Sequence, residues 1–330
     1  MAVATKPVTN EDPPDLRVRG GAGPAVDRGF RVLALGGGLT VLAILAGIAI
    51  STTSKAWPAF RIEGLSYLFS TDWDPINAHF GAFPFIYGTL VVSAIALTFA
   101  VPVSIGIALF ITELAPRRIR SSVITVLDLM AAVPSVVFGL WGLLVLAPQL
   151  NGVYDSVSSA VSGVPVLNTL LARGPSGQSY LTAGLVLALM ITPIITSLTR
   201  EVFRTVPRND KEGALALGAT RWEMITGVVF PHSTGGMVGA VMLGLGRAMG
   251  ETIAVALLIG GNARVFHSLF GPGDSMPSVI ARNLGDSSIY PYYREALIGL
   301  GVTLFAMTIL VNIAGRRVVG RLDKRLRGAS

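Results

Sequence analysis

Long apolar runs alternate with polar stretches along this chain. Six runs reach or approach the roughly 20 residues an α-helix needs to cross a hydrocarbon core: 30–50, 85–111, 123–147, 181–198, 235–261 and 296–314. Pro102, Pro134 and Pro193 fall inside three of them. They are tolerable there because neighbouring helices can satisfy the freed carbonyls. The pattern predicts an all-α, polytopic membrane protein with six transmembrane helices. Its expected parts are a disordered tail at 1–28, a first helix with its outer loop at 29–84, a transmembrane core at 85–315 and a basic tail at 316–330.

The polar stretch at 207–231, PRNDKEGALALGATRWEMITGVVFP, holds two short helical patterns separated by Gly218. Asn209 or Asp210 is placed to cap the first. Thr220 opens the second, and Glu223 three residues later completes a capping box. Gly218 stands where a helix end takes a left-handed residue, and Pro231 is expected to stop the second helix. The result is a helix–turn–helix elbow outside the membrane. Ala214, Leu215, Leu217, Trp222, Ile225 and Val228 give it an apolar side, while Lys211, Glu212, Arg221 and Glu223 are charged. Another surface has to cover that apolar side.

Charge refines the picture. Only 14% of the 330 residues are charged, against about 25% in a soluble domain. The net charge of +7 does not mark a nucleic-acid partner, because the basic residues are parcelled into alternate loops. Of 26 Lys and Arg, 19 fall in the two tails, the loop around Arg117–Arg120 and the elbow region. Those segments are therefore expected on the cytoplasmic side of a bacterial cell membrane, with both termini inside. The basic tail is expected to rest on anionic lipid headgroups.

There is no cysteine, and His79, His232 and His267 lie in separate loops, so neither a thiolate nor a histidine metal cluster is expected. A phosphate-cradling P-loop needs Gly-Lys followed by Ser or Thr. The four lysines follow Thr5, Ser54, Asp210 and Asp323. The chain is not expected to bind ATP or to be an enzyme by itself.

The fifth run carries small residues at 236, 240, 244 and 248, and a second stripe at Gly246, Gly250 and Ala254. Such stripes let helix backbones approach closely, either within the chain or against a second one. The same run contains Arg247 and Glu251, one helical turn apart, and the third contains Asp128. Charge inside hydrocarbon is costly, so Arg247 must be paired or face water. Counted from residue 235 it falls about 18 Å into the membrane, where a fixed cation could serve an anion pathway tempered by Glu251. Asp128 is a further intramembrane charge, a candidate partner for Arg247 or for a loop arginine. The outer loops carry Trp57 and Trp73, read mainly as interfacial anchors, and Asp274 and Arg282.

The order Glu212-Gly213-Ala214, then Gly218, then Pro231 resembles the EAA loop of ABC importer permeases, with Gly213 where that family usually has Ala. FGAFPFIYGTLVVSAIAL at 80–97, AAVPSVVFGLWGLLVL at 131–146 and LGLGRAMGETIAVALLIGG at 243–261 look like the C-type permease of phosphate-specific importers. The resemblance implies a type I, MetI-like permease fold and transport of inorganic phosphate across the lipid bilayer. It implies an A-type sister permease, two ATPase subunits that bind the ATP, and a phosphate-binding protein outside the cell. It places ATPase coupling on Glu212, Ala214, Gly218, Trp222 and Ile225, and phosphate passage on the stretch with Arg247 and Glu251. A permease for sulfate or molybdate, the A-type sister itself and an ion-driven secondary transporter are the alternatives.

Overall fold

The computed structural model describes residues 23–172, 174 and 176–327. The expectation for 1–28 falls largely outside them. The chain forms two compact units, residues 1–51 and 52–330. The first is described from Gly23, where α1 (Gly23–Glu63) begins. Its large apolar side chains from Val26 to Ile50 are at least half exposed, as in a helix made for lipid rather than for water.

The second unit is a helical bundle built around α8 (Tyr180–Arg204). This helix is buried along most of its length because it is apolar nearly all round. Against it lies α3 (Phe83–Leu109), whose final turns widen into a π turn at Phe110–Leu114. Gly184 sits against Ile95 and the Val92 carbonyl, so the two helices touch backbone to side chain. Ser104 Oγ donates to the Thr192 carbonyl at 3.1 Å and ties them together.

Among the described residues six helices are long and apolar enough to cross a membrane, but two have boundaries the sequence pattern did not predict. The third expected span is broken. Helix α4 (Arg117–Ala132) ends at Val133, and α5 (Ser135–Trp141) begins after Pro134. Proline cannot donate the next helical hydrogen bond and forces its predecessor into an extended conformation. The long apolar segment is instead 135–161, formed by α5, a π turn at Gly142–Leu146 and α6 (Ala147–Val161). A short α7 (Pro165–Leu170) follows. Asp128 is left on α4, exposed and without an ion-pair partner among the described residues; it does not reach Arg247.

The fifth span differs too. Pro231 does not end a helix. Helix α9 (Arg208–Ala216) and α10 (Arg221–Met224) form the elbow. Then a π turn at Ile225–Val229 leads directly into α11 (Phe230–Gly250). The wide turn accommodates the missing N–H and the ring of Pro231, so residues 221–250 make one continuous helix of 30 residues. At the other end the expected run to 261 breaks, because Glu251 is extended (ψ 129°). Helix α12 (Ile253–Leu258) follows as a separate piece.

Remote from the elbow, the loop after α12 folds back on the bundle. Gly260 and Gly261 take positive φ, and Asn262 donates to the Gly273 carbonyl at 2.9 Å. Helix α13 (Met276–Asn283) leads to α14 (Tyr293–Arg327). Helix α2 (Ser66–Phe69) and a two-residue hairpin, β1 (Trp73–Asp74) with β2 (His79–Phe80), complete this end. Trp73 packs edge-on against Phe80, Phe85 and Tyr293 at 4.8–6.1 Å between rings. It is part of an aromatic core rather than an interfacial anchor; Trp57 is 53% exposed.

Candidate functional site

The elbow is assembled from local signals. Pro207 precedes α9 and sets its entry; the Asn209 and Asp210 side chains do not cap it. Asp210 lies in the first turn, where the helix dipole favours a negative charge. The helix closes with Gly218 at φ +90°, whose N–H reaches the Leu215 carbonyl at 3.0 Å. No atom lies within 4 Å of a Cβ built there, so glycine is required by the backbone and not by space. The predicted capping box is present: the Thr220 N–H donates to Glu223 Oε2 at 2.7 Å, and the Glu223 N–H donates to Thr220 Oγ1 at 3.3 Å.

The elbow divides its apolar residues between two sides. Met224 and Ile225 are buried with Ala108, Leu109, Phe203, Val206 and Val229, and Ala214 packs on the same cluster. Ile225 is thus held inside the chain. Leu217 (92% exposed) and Trp222 (64%) have no such cover. Glu212 points outward and has no ion pair among the described residues, while its neighbour Lys211 bonds Glu113 at the end of α3 at 2.6 Å. Both members of that pair are largely buried. Sequence reading missed it because 98 residues separate them.

The two small-residue stripes of α11 have different fates. Gly236 packs on Val202 and Gly244 on Ile195, both from α8, and Ala240 and Ala248 of the same stripe are buried too. The other side is open: nothing lies within 4 Å of a Cβ built on Gly239, Gly246 or Gly250. These glycines floor a groove of about 860 Å³ between α11 and α14, walled also by Ile194, Met242 and Leu243.

Four polar side chains face this groove: Arg247, Glu251, Asn312 and Arg316. Arg247 stands in the last turn of α11 rather than at mid-helix, and Glu251 just beyond the helix end. Arg247 Nη2 lies 3.8 Å from Glu251 Oε2, too far for a hydrogen bond. The guanidinium is half exposed and the carboxylate only 7% exposed. The cation is therefore the more open of the two, while the anion lines the groove from a buried position. This arrangement can hold an oxyanion on Arg247 without leaving a full unopposed charge. Among the described residues no three His, Asp or Glu converge as metal ligands.

Residues 100–328 match the family described as the binding-protein-dependent transport system inner membrane component. The chain is 43% identical to the phosphate transport system permease protein PstC of Mesorhizobium japonicum, over 87% of its own length and 88% of the relative's. It is 40% identical to the protein of that name from Xylella fastidiosa, over 90% and 91%. A bacterial alginate ABC transporter in complex with its pentasaccharide-bound periplasmic protein contains a chain of like fold, with a TM-score of 0.59 at 16% identity, covering 91% of this chain and 98% of that one. The chain is a multi-pass membrane transport component and belongs to the binding-protein-dependent permeases, in the branch of the phosphate transport system permeases.

Proposed function

We propose that this chain is half of the membrane pathway of an ATP-driven importer of inorganic phosphate. The observation that carries the reading is Arg247: a permanent cation with its donors open to a groove that glycines keep clear. The names of the relatives support phosphate as the substrate. The groove is open on the side away from α8, which supports a second, A-type permease facing it and closing the path. Glu251 tempers the attraction, so that the ion can bind and also leave.

Energy comes from outside the chain. No lysine follows a glycine in a P-loop, and ATP is bound by two separate ATPase subunits. The elbow is their docking point, with Trp222 and Leu217 supplying apolar contact, Glu212 a free carboxylate, and Ala214 and Gly218 the shape. The excess of Lys and Arg in the tails and the elbow loop supports cytoplasmic termini and a cytoplasmic elbow. A phosphate-binding protein then delivers its ion at the opposite end.

The test is uptake of labelled phosphate by the assembled complex in proteoliposomes, with sulfate and molybdate as competitors. ATP-dependent phosphate uptake that neither competitor suppresses is expected. Suppression by either at equimolar concentration would refute phosphate specificity, and uptake without ATP would refute the ATP-driven class.

A further inference from the structure

Arg316 shares the groove with Arg247, although the sequence assigns it to the basic tail. Its position is fixed by close packing. A Cβ built on Gly315 would collide with the Met242 side chain, so α14 packs on α11 at that level with no room for more than glycine beside Met242 as it stands. Met242 is five residues before Arg247, about 7.5 Å along the helix and on the elbow's side of it. Arg316 thus enters the groove below Arg247, and Asn312 stands one turn above it on the same face of α14.

The two arginines differ electrically. Arg247 is backed by Glu251. Arg316 is exposed and has no carboxylate within ion-pair distance among the described residues. Two arginines near the elbow, Arg200 and Arg204, are by contrast both paired with Glu201. The groove therefore rises from a neutralised cation to an unopposed one as it approaches the elbow.

We infer that Arg316, with Asn312 beside it, forms a second anion-binding position, which receives phosphate from Arg247 and hands it to the cytoplasm. Two weak positions in series let an ion enter and leave where one tight position would trap it. Solvent around Arg316 keeps the second position weak. The inference rests on the phosphate reading of the groove and adds a step to it.

The experiment uses the complete complex in proteoliposomes and compares wild type, Arg316→Gln and Arg316→Lys. Labelled phosphate uptake and ATP hydrolysis are measured together, at low and at 0.5 M potassium chloride. Arg316→Gln is expected to lower the phosphate moved per ATP by about fivefold, with hydrolysis retained. Arg316→Lys should keep most of the transport, and chloride should inhibit wild type more than Arg316→Gln. Wild-type transport by Arg316→Gln would overturn the inference, and so would equal loss of transport and hydrolysis in both variants, which marks a structural role. A wild-type complex that moves sulfate but no phosphate would instead refute the substrate reading.

Discussion

Lys211, on the first helix of the elbow, donates to Glu113 at the end of α3 across 2.6 Å. Each side chain is less than one-fifth exposed. This is the direct polar link between the elbow and the helix that packs along α8. Removing one partner leaves the other's charge poorly solvated, which is the costly way to break such a pair.

Lys211→Met and Glu113→Gln should each destabilise the chain, and the double variant should lose less than their sum. A double-mutant cycle on thermal unfolding in detergent should give a coupling of about 1–3 kcal/mol. ATP-driven uptake should fall in both single variants. Additive losses would mean that the pair does not act as a unit.

Two of the elbow's glycines, Gly218 and Gly213, should answer oppositely. Gly218→Val forces a β-branched residue to φ +90° and should cost at least about 1 kcal/mol. It should weaken ATPase binding in pull-down assays. Gly213 lies inside α9 with nothing within 4 Å of a built Cβ. Gly213→Ala should therefore stabilise the elbow by up to about 1 kcal/mol, with transport unchanged. Retained ATPase binding and uptake in Gly218→Val would show that the turn is not part of the coupling surface.

At the groove, Arg247→Gln should abolish phosphate uptake while the complex assembles and hydrolyses ATP. Glu251→Gln leaves the cation unopposed, so phosphate should bind more tightly and leave more slowly. The expected signature is a lower KM with a lower maximal rate, read from initial uptake rates. If Arg247→Gln transports at the wild-type rate, the pair only fixes the end of α11.

Asp274 supplies a pH dependence. It is buried beside Tyr180 and Tyr293, and its carboxylate is bonded by Arg282 and by the Ser275 N–H. Burial raises its pKa to about 6 from 3.8, against the lowering pull of Arg282. The folded chain then holds more protons than the unfolded one between about pH 4 and pH 6, so stability falls as pH rises through that window. The fall should be at most about 3 kcal/mol. Melting temperatures across that range should show a steeper decline for wild type than for Asp274→Asn. Parallel curves would mean that Asp274 does not titrate there.

The sequence carried the number of spans, the capping box and the turn at Gly218, because each depends on residues close together in the chain. It misplaced Pro134 and Pro231 in opposite senses. Pro134 ends a helix outright, while a π turn absorbs Pro231, and the choice depends on packing around the site. The exposure of Trp222, the burial of Ile225 and the Lys211–Glu113 pair depend on which side of the elbow meets α3 and α8. No local pattern holds that information. The small-residue stripes were legible as stripes, but only their neighbours show that one is filled by α8, and that in the other Gly246 and Gly250 face open space while Ala254 is buried against Gly139 of α5.

Because residues 221–250 form one helix, Trp222 at the elbow and Arg247 in the groove ride on the same rod. About 38 Å of helix separates them. If the rod pivots at its elbow end by about 5°, Arg247 is carried sideways by roughly 3 Å. Glu251 lies beyond the break and need not follow. On the proposed role of Arg247 as the anion's holder, the 3.8 Å gap between the two charges is a lever's working end, and the grip would follow the tilt of a shaft whose handle lies in the elbow.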